Sequence, residues 1–232
     1  MKIAQKFMDW YQGNNKAAGE PPKGGIKRVG YVLWNYTGNI IVVNFLFILC
    51  CIPIVTIPAA LTALNRYLVK IFRDGYGFAL SDYFQEFKES IGKRLPLGIL
   101  VGFIDFYAYY LLSLANNFTQ SGQRDIVTGI GFGVAIVGSL IGSYVFMLAA
   151  MLDLKNTHLL KNACILMLLE WKTSLLVILT AGIFVFIVFG LMPYSVVLLV
   201  FGGFAILHLF LCAWLNPVVQ RRIIEPFEKG KN

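Results

Sequence analysis

The stretch YVLWNYTGNIIVVNFLFILCCIPIVTIPAALTALNRYLVKIF, residues 31–72, decides the fold. It is apolar almost end to end, broken at Pro53 and Pro58, and carries its first cation at Arg66. About 20 apolar residues cross the roughly 30 Å of hydrocarbon in a bilayer. The stretch therefore reads either as one crossing (31–57) followed by an interfacial helix, or as a hairpin turning at Pro53–Pro58. The basic residues choose between them, because loops rich in Lys and Arg stay cytoplasmic. With the hairpin, residues 1–30, 66–94, 153–172 and 217–232 share one side and hold 6, 6, 3 and 4 Lys/Arg, leaving only Arg124 across the membrane. A single crossing splits them 13 to 7. The cost of the hairpin is a short second helix, in which about 15 apolar residues reach only about 22 Å. Arg66 and Lys70 can snorkel to the interface at its end.

Working outward, further apolar runs cover 96–115, 126–152, 173–192 and 194–216. The expectation is an all-α, polytopic transmembrane bundle with six membrane-embedded helices at about 31–52, 54–72, 96–115, 126–152, 173–192 and 194–216. The second is short, or re-entrant. Both termini are expected in the cytoplasm of a bacterial cell, with a basic tail over 217–232. Residues 1–30 form a cytoplasmic segment in this reading. It holds an interfacial helix at Met1–Tyr11, marked by Ile3, Phe7, Trp10 and Tyr11, and a Gly/Pro-rich linker over 12–28.

Composition agrees. The 232 residues are 58% hydrophobic and 14% charged, with a mean hydropathy of +0.70. A soluble domain is about 25% charged and cannot hide such an apolar surplus. The formal net charge of +8 raises nucleic acid as a partner, but no zinc-knuckle, helix-turn-helix or RNP pattern accompanies it, and lipid-facing basic loops explain it better. Cys50, Cys51, Cys164 and Cys212 lie in apolar runs without C-x-x-C spacing and read as small buried hydrophobes. A weak internal repeat is visible: amphipathic helices opening at Ser81–Asp82 and at Asn156–Thr157 each precede a pair of spans, a parallel arrangement known from transport proteins.

Polar groups inside hydrocarbon carry the functional information, because each is costly unless paired. Asp105 lies mid-span in GFIDFYAYY and His208 in AILHLFLCAW; Asn35, Asn39 and Asn44 punctuate the first span, and Asn65 and Arg66 sit low in the second. Asp105 is expected to point into the bundle, within reach of Arg66, His208 or the asparagines. Two readings stand: a proton or substrate site, or interhelical hydrogen bonds that fix packing. In the fourth span Gly129/Gly133 and Gly138/Gly142 form two small-x-x-x-small pairs, expected to face other helices or a second copy. No H-E-x-x-H, G-x-S-x-G, phosphate loop or paired-acid cluster is present, and two histidines are few for a metal site. Neither enzyme chemistry nor a cofactor nor a metal is expected.

The string NFLFILCCIPIVTIPAALTAL at 44–64 resembles the signature of the YesL family of bacterial integral membrane proteins. The resemblance runs on through NRYLVKIFRDG and SDYFQEFKES, where Phe84 and Phe87 match the family's F-x-x-F, and through MLDLKNTHLLKNACILMLLEWKTSLL. It covers about 31–216. Pro58 departs from it, standing where many relatives place Gly after Thr-Ile. The resemblance implies a protein without assigned chemistry or catalytic residues, found beside carbohydrate ABC importers and glycan-degrading enzymes. The resulting expectation is a non-enzymatic accessory or scaffold component for carbohydrate uptake, with the bilayer and importer subunits as partners. The alternative is a small secondary transporter or channel with Asp105 as its coupling residue.

Overall fold

The computed structural model describes residues 24–75 and 79–229, all-α and without a strand among them. The expected helix at Met1–Tyr11 lies outside the described residues. The helices are α1 (Gly25–Asn35), α2 (Thr37–Cys51), α3 (Ile57–Asp74), α4 (Ala79–Ser90), α5 (Leu95–Ala115), α6 (Ser121–Met151), α7 (Asn156–Leu169), α8 (Trp171–Gly190), α9 (Ser195–Leu198), α10 (Phe204–Val219) and α11 (Glu225–Lys229). Five helical stretches are long and apolar enough to cross a membrane, and six if α1 and α2 count as one broken span. The protein is thus a polytopic helical bundle.

The first expected span is not continuous. Helix starts at Gly25, inside the expected linker, and turns by 89° between α1 and α2. Two local bonds accompany the bend: Asn35 Nδ2 donates to the Tyr31 carbonyl at 2.9 Å, and the Thr37 hydroxyl donates to the Leu33 carbonyl. Such side-chain bonds compete with the regular helix ladder. Long-range anchors hold the bend. Arg28, 5% exposed, donates from Nε to the Phe72 carbonyl at 2.8 Å, and the Tyr36 hydroxyl donates to the Gly75 carbonyl. Both satisfy carbonyls at the C-terminal end of α3, where a cation also favours the helix dipole. Gly75 itself closes α3 in the left-handed region, φ 74°, with its N–H on the Ile71 carbonyl.

The expected hairpin forms. Pro53 ends α2, a single 3₁₀ turn (Ile54–Thr56) reverses the chain, and Pro58 sits in the first turn of α3, where its missing N–H is harmless. The position of its tip bears on the expectation of a short or re-entrant second helix. A Cβ at Gly98 would fall 1.8 Å from Pro58 Cγ, and Gly98 lies one turn inside α5 from Arg94. A hairpin crossing the whole membrane beside α5 would put its tip near Ala115. Instead the tip packs against the end of α5 that begins at the basic pair Lys93–Arg94, as a re-entrant hairpin would. α4 then runs back along α3, fastened by Lys70–Asp82 at 2.7 Å and Arg66–Glu86 at 3.1 Å.

Four of the other helices form two antiparallel pairs. α6 descends along α5, with Gly131, Gly138 and Gly142 against Leu112, Asp105 and Val101 in turn. α8 and α10 are joined near their ends by Glu170 with Arg221 and Arg222, and farther along by Trp214 Nε1 donating to Thr180 Oγ1 at 3.1 Å. The core lies where α3 crosses the last turns of α6 and runs beside α10, with Ala60, Ala63, Leu64, Leu68, Val145, Leu148, Leu209 and Leu215 all fully buried.

Candidate functional site: intramembrane polar contacts and a lateral groove

Three buried asparagines, Asn39 and Asn44 on α2 and Asn65 on α3, each take a partner on a neighbouring segment. Asn65, 1% exposed, accepts at Oδ1 from His208 Nδ1 at 2.8 Å. An amide oxygen is an acceptor only, so this contact keeps the imidazole proton on Nδ1. Asn39, fully buried, donates from Nδ2 to the Tyr67 hydroxyl at 2.9 Å. Asn65 and His208 are therefore brought together, as are Asn39 and Tyr67, a partner that sequence reasoning missed because a tyrosine in an apolar run gives no signal of its own.

Asn44 has the most demanding position. Between α9 and α10 the last span loses its regular ladder over Leu199–Gly203. The Asn44 amide donates to the Leu199 and Val200 carbonyls at 2.9 and 2.8 Å, and its Oδ1 accepts from the Ala205 N–H at 3.0 Å. One side chain thus replaces the helix's own bonds in a region where water cannot. A broken span is a feature of many transporters, but here the freed backbone groups are taken by α2.

Asp105 lies exposed at the edge of the bundle, against α6, and takes none of the expected partners. Its Oδ1 lies 2.7 Å from where a Cβ of Gly138 would stand, so the glycine makes room for the carboxylate against α6. It makes no hydrogen bond or ion pair among the described residues, with Arg66, His208 or any asparagine. The reason is topological: Arg66 is drawn to Glu86 on α4, His208 to Asn65, and Asn35 to its own helix. Asp105 instead lines an apolar groove of about 570 Å³, open to the side, with Ile54, Val55, Pro58, Gly102 and Phe146 among its walls.

The glycine pattern also needs correcting. Gly138 and Gly142 pack on α5, but Gly129 and Gly133 are exposed, with no described atom within 4 Å of where a Cβ would stand. Gly131, unremarked in the sequence, abuts Leu112, whose Cδ2 would lie 2.8 Å from a Cβ there. At about 100° per residue Gly131, Gly138 and Gly142 share one face, and Gly129 and Gly133 fall on the other side.

At the basic end, Arg94 is 2% exposed and donates from Nη1 to the Leu154 carbonyl at 3.1 Å and to Asn156 Oδ1 at 3.0 Å. Asn156 returns a bond to the Lys93 carbonyl at 2.6 Å, tying the start of α5 to the α6–α7 connection. Glu170, at the break between α7 and α8, accepts from Arg222 Nε at 2.7 Å and Arg221 Nη2 at 2.9 Å. The Arg222 hydrogen bond, foremost, holds its carboxyl below the usual glutamate range.

Fold and site together define a multi-pass helical membrane protein whose buried polar groups mostly satisfy one another. Residues 40–111 match a family described as "Protein of unknown function, DUF624". That segment holds most of α2, the hairpin, α4 and α5 as far as Asp105 and beyond, so the Pro58–Gly98 contact and the lateral groove lie mainly within it. No curated protein and no solved structure matches the chain.

Proposed function

We propose that this protein is a non-enzymatic accessory component of a membrane complex, working by contact with another protein in the setting of carbohydrate uptake that the YesL resemblance implies. In this reading it resides in a bacterial cell membrane with both termini cytoplasmic, which keeps 19 of 20 Lys/Arg on that side. One observation carries the contact: Asp105, unpaired among the described residues, stands in an apolar groove open to the side. A charged, unpaired Asp at mid-span costs about 2.5–3.5 kcal/mol, and lipid tails offset none of it. A transmembrane helix of a partner, presenting a basic side chain at Asp105, offsets it and fills the groove.

The test is a photo-crosslinking residue at Ile99 or Val55, both exposed walls of the groove, in native membranes. The expected product is an adduct with a membrane subunit of a carbohydrate importer, lost in Asp105→Asn, which removes the charge but keeps size and hydrogen bonding. Adducts with lipid alone, or an adduct indifferent to Asp105→Asn, would overturn the reading. The interrupted last span favours a second reading, a small secondary transporter with Asp105 as coupling residue. Solute uptake by the purified protein alone in liposomes, abolished by Asp105→Asn, would establish that one instead.

A further inference from the structure

Helix α1 has two unlike faces. Val29, Val32 and Arg28 are buried, and Arg28 pins the helix to the end of α3. The opposite face is bare: Trp34 is 87% exposed, Ile26 60%, and Lys27 is exposed as well. At about 100° per residue Lys27, Gly30 and Trp34 form the central stripe of that face. Exposed Ile26 flanks it on one side, beside Leu33, and Tyr31 and Asn35 lie on the other; Leu33, Tyr31 and Asn35 are partly buried, Leu33 and Tyr31 against the core. The outer surface thus grades from apolar through Trp and Lys to polar, the profile of a helix lying along a membrane surface.

The place of α1 in the fold points the same way. Arg73, next to the Arg28 contact, donates from Nε to Asn216 Oδ1 at 2.8 Å, so α1 sits beside the last turn of α10. Just beyond are Arg221 and Arg222, paired with Glu170, and the exposed Trp171 with the Lys172 ammonium 5.7 Å from its ring centre. Trp34 and Trp171, both exposed, therefore lie with Lys27, Arg73, Lys172, Arg221 and Arg222 at one end of the molecule. Tryptophan concentrates at the headgroup level, and cations near anionic headgroups are attracted within a Debye length.

We propose that α1 is a lipid-binding helix that rests in the anionic headgroup layer, with Trp34 as its anchor, Lys27 meeting the lipid phosphates, and Ile26 dipping toward the acyl chains. It stands independently of any protein partner. The test uses the full chain in nanodiscs. In a variant whose other tryptophans (Trp10, Trp171, Trp214) are Phe, lipids brominated high on the acyl chain should quench Trp34 more strongly than lipids brominated near the chain end, and aqueous iodide should quench it weakly. The unaltered protein supplies a second readout: hydrogen exchange across 25–35 should slow several-fold when phosphatidylglycerol replaces phosphatidylcholine, and Lys27→Glu should remove that dependence. Strong iodide quenching would place α1 in water, and stronger quenching from deep bromines would make it part of a span. Either result, or exchange indifferent to phosphatidylglycerol, would overturn the proposal.

Discussion

Replacing Gly98 by Ala adds one methyl group where the hairpin tip meets α5. Built on the backbone, that carbon falls 1.8 Å from Pro58 Cγ, 2.7 Å from Cβ and 3.2 Å from Cδ. Carbon pairs rest at about 3.5–4.0 Å, so the two elements must separate by roughly 2 Å. A proline ring cannot rotate out of the way as a long side chain does. Overpacking a well-fitted contact costs about 1–3 kcal/mol, and the rigidity of the ring argues for the upper end. The intrinsic preference of a helix for Ala over Gly returns about 1 kcal/mol, leaving a net destabilisation of about 2 kcal/mol. Gly102, one turn on, has no described atom within 4 Å of its added carbon, so Gly102→Ala keeps the helix gain and loses nothing. The two variants should therefore differ by about 3 kcal/mol in unfolding by SDS titration from mixed micelles. Pro58→Ala in the Gly98→Ala background should recover most of the loss, because it removes the atoms that clash. Unfolding free energies for the two single variants within about 0.5 kcal/mol of each other would refute the contact, and with it the placement of the tip near the start of α5.

Other consequences can be checked by the same titration. Asn44→Ala strips three hydrogen bonds from the interrupted last span; at about 0.6 kcal/mol for each bond within a membrane, the loss should be about 2 kcal/mol. Gly131→Leu drives a side chain into Leu112, whose Cδ2 is 2.8 Å from the new Cβ, whereas Gly133→Leu meets open space; only the first should destabilise the protein. Glu170 is held below the ordinary glutamate range by Arg222 and Arg221, so the folded protein binds its proton less readily than the unfolded chain does. Its contribution is then complete above the unfolded value, about pH 4.3, and disappears as pH falls through the folded value. Melting curves of Glu170→Gln and the unaltered protein should differ at neutral pH, begin to approach each other only below about pH 4.3, and converge once pH has fallen through the lowered folded value.

The class of fold was written in the residues themselves. Apolar runs long enough for hydrocarbon, Pro53 and Pro58 as breaks and the clustering of Lys and Arg are local facts, and a bilayer imposes helix on any such run because backbone groups have no water to bond. The same locality made Asn39, Asn44, Asn65 and His208 stand out, since a polar side chain in an apolar run needs a partner wherever the chain goes. Which partner it takes is a matter of distance between segments remote in sequence. Asn44 and Val200 are joined by a crossing of α2 with the last span, and no spacing rule reaches across it. Arg28 turned what reads as linker into a packed helix because the end of α3 happens to offer it the Phe72 and Arg73 carbonyls. Asp105 was visible as an anomaly, but its direction depended on where α6 put Gly138. Glycine spacing marked two possible stripes on one helix, on opposite sides; only the approach of α5 selected Gly131, Gly138 and Gly142 over Gly129 and Gly133. Helical periodicity sorts residues into faces, whereas the choice of the face that meets a neighbour belongs to the packing of the whole chain.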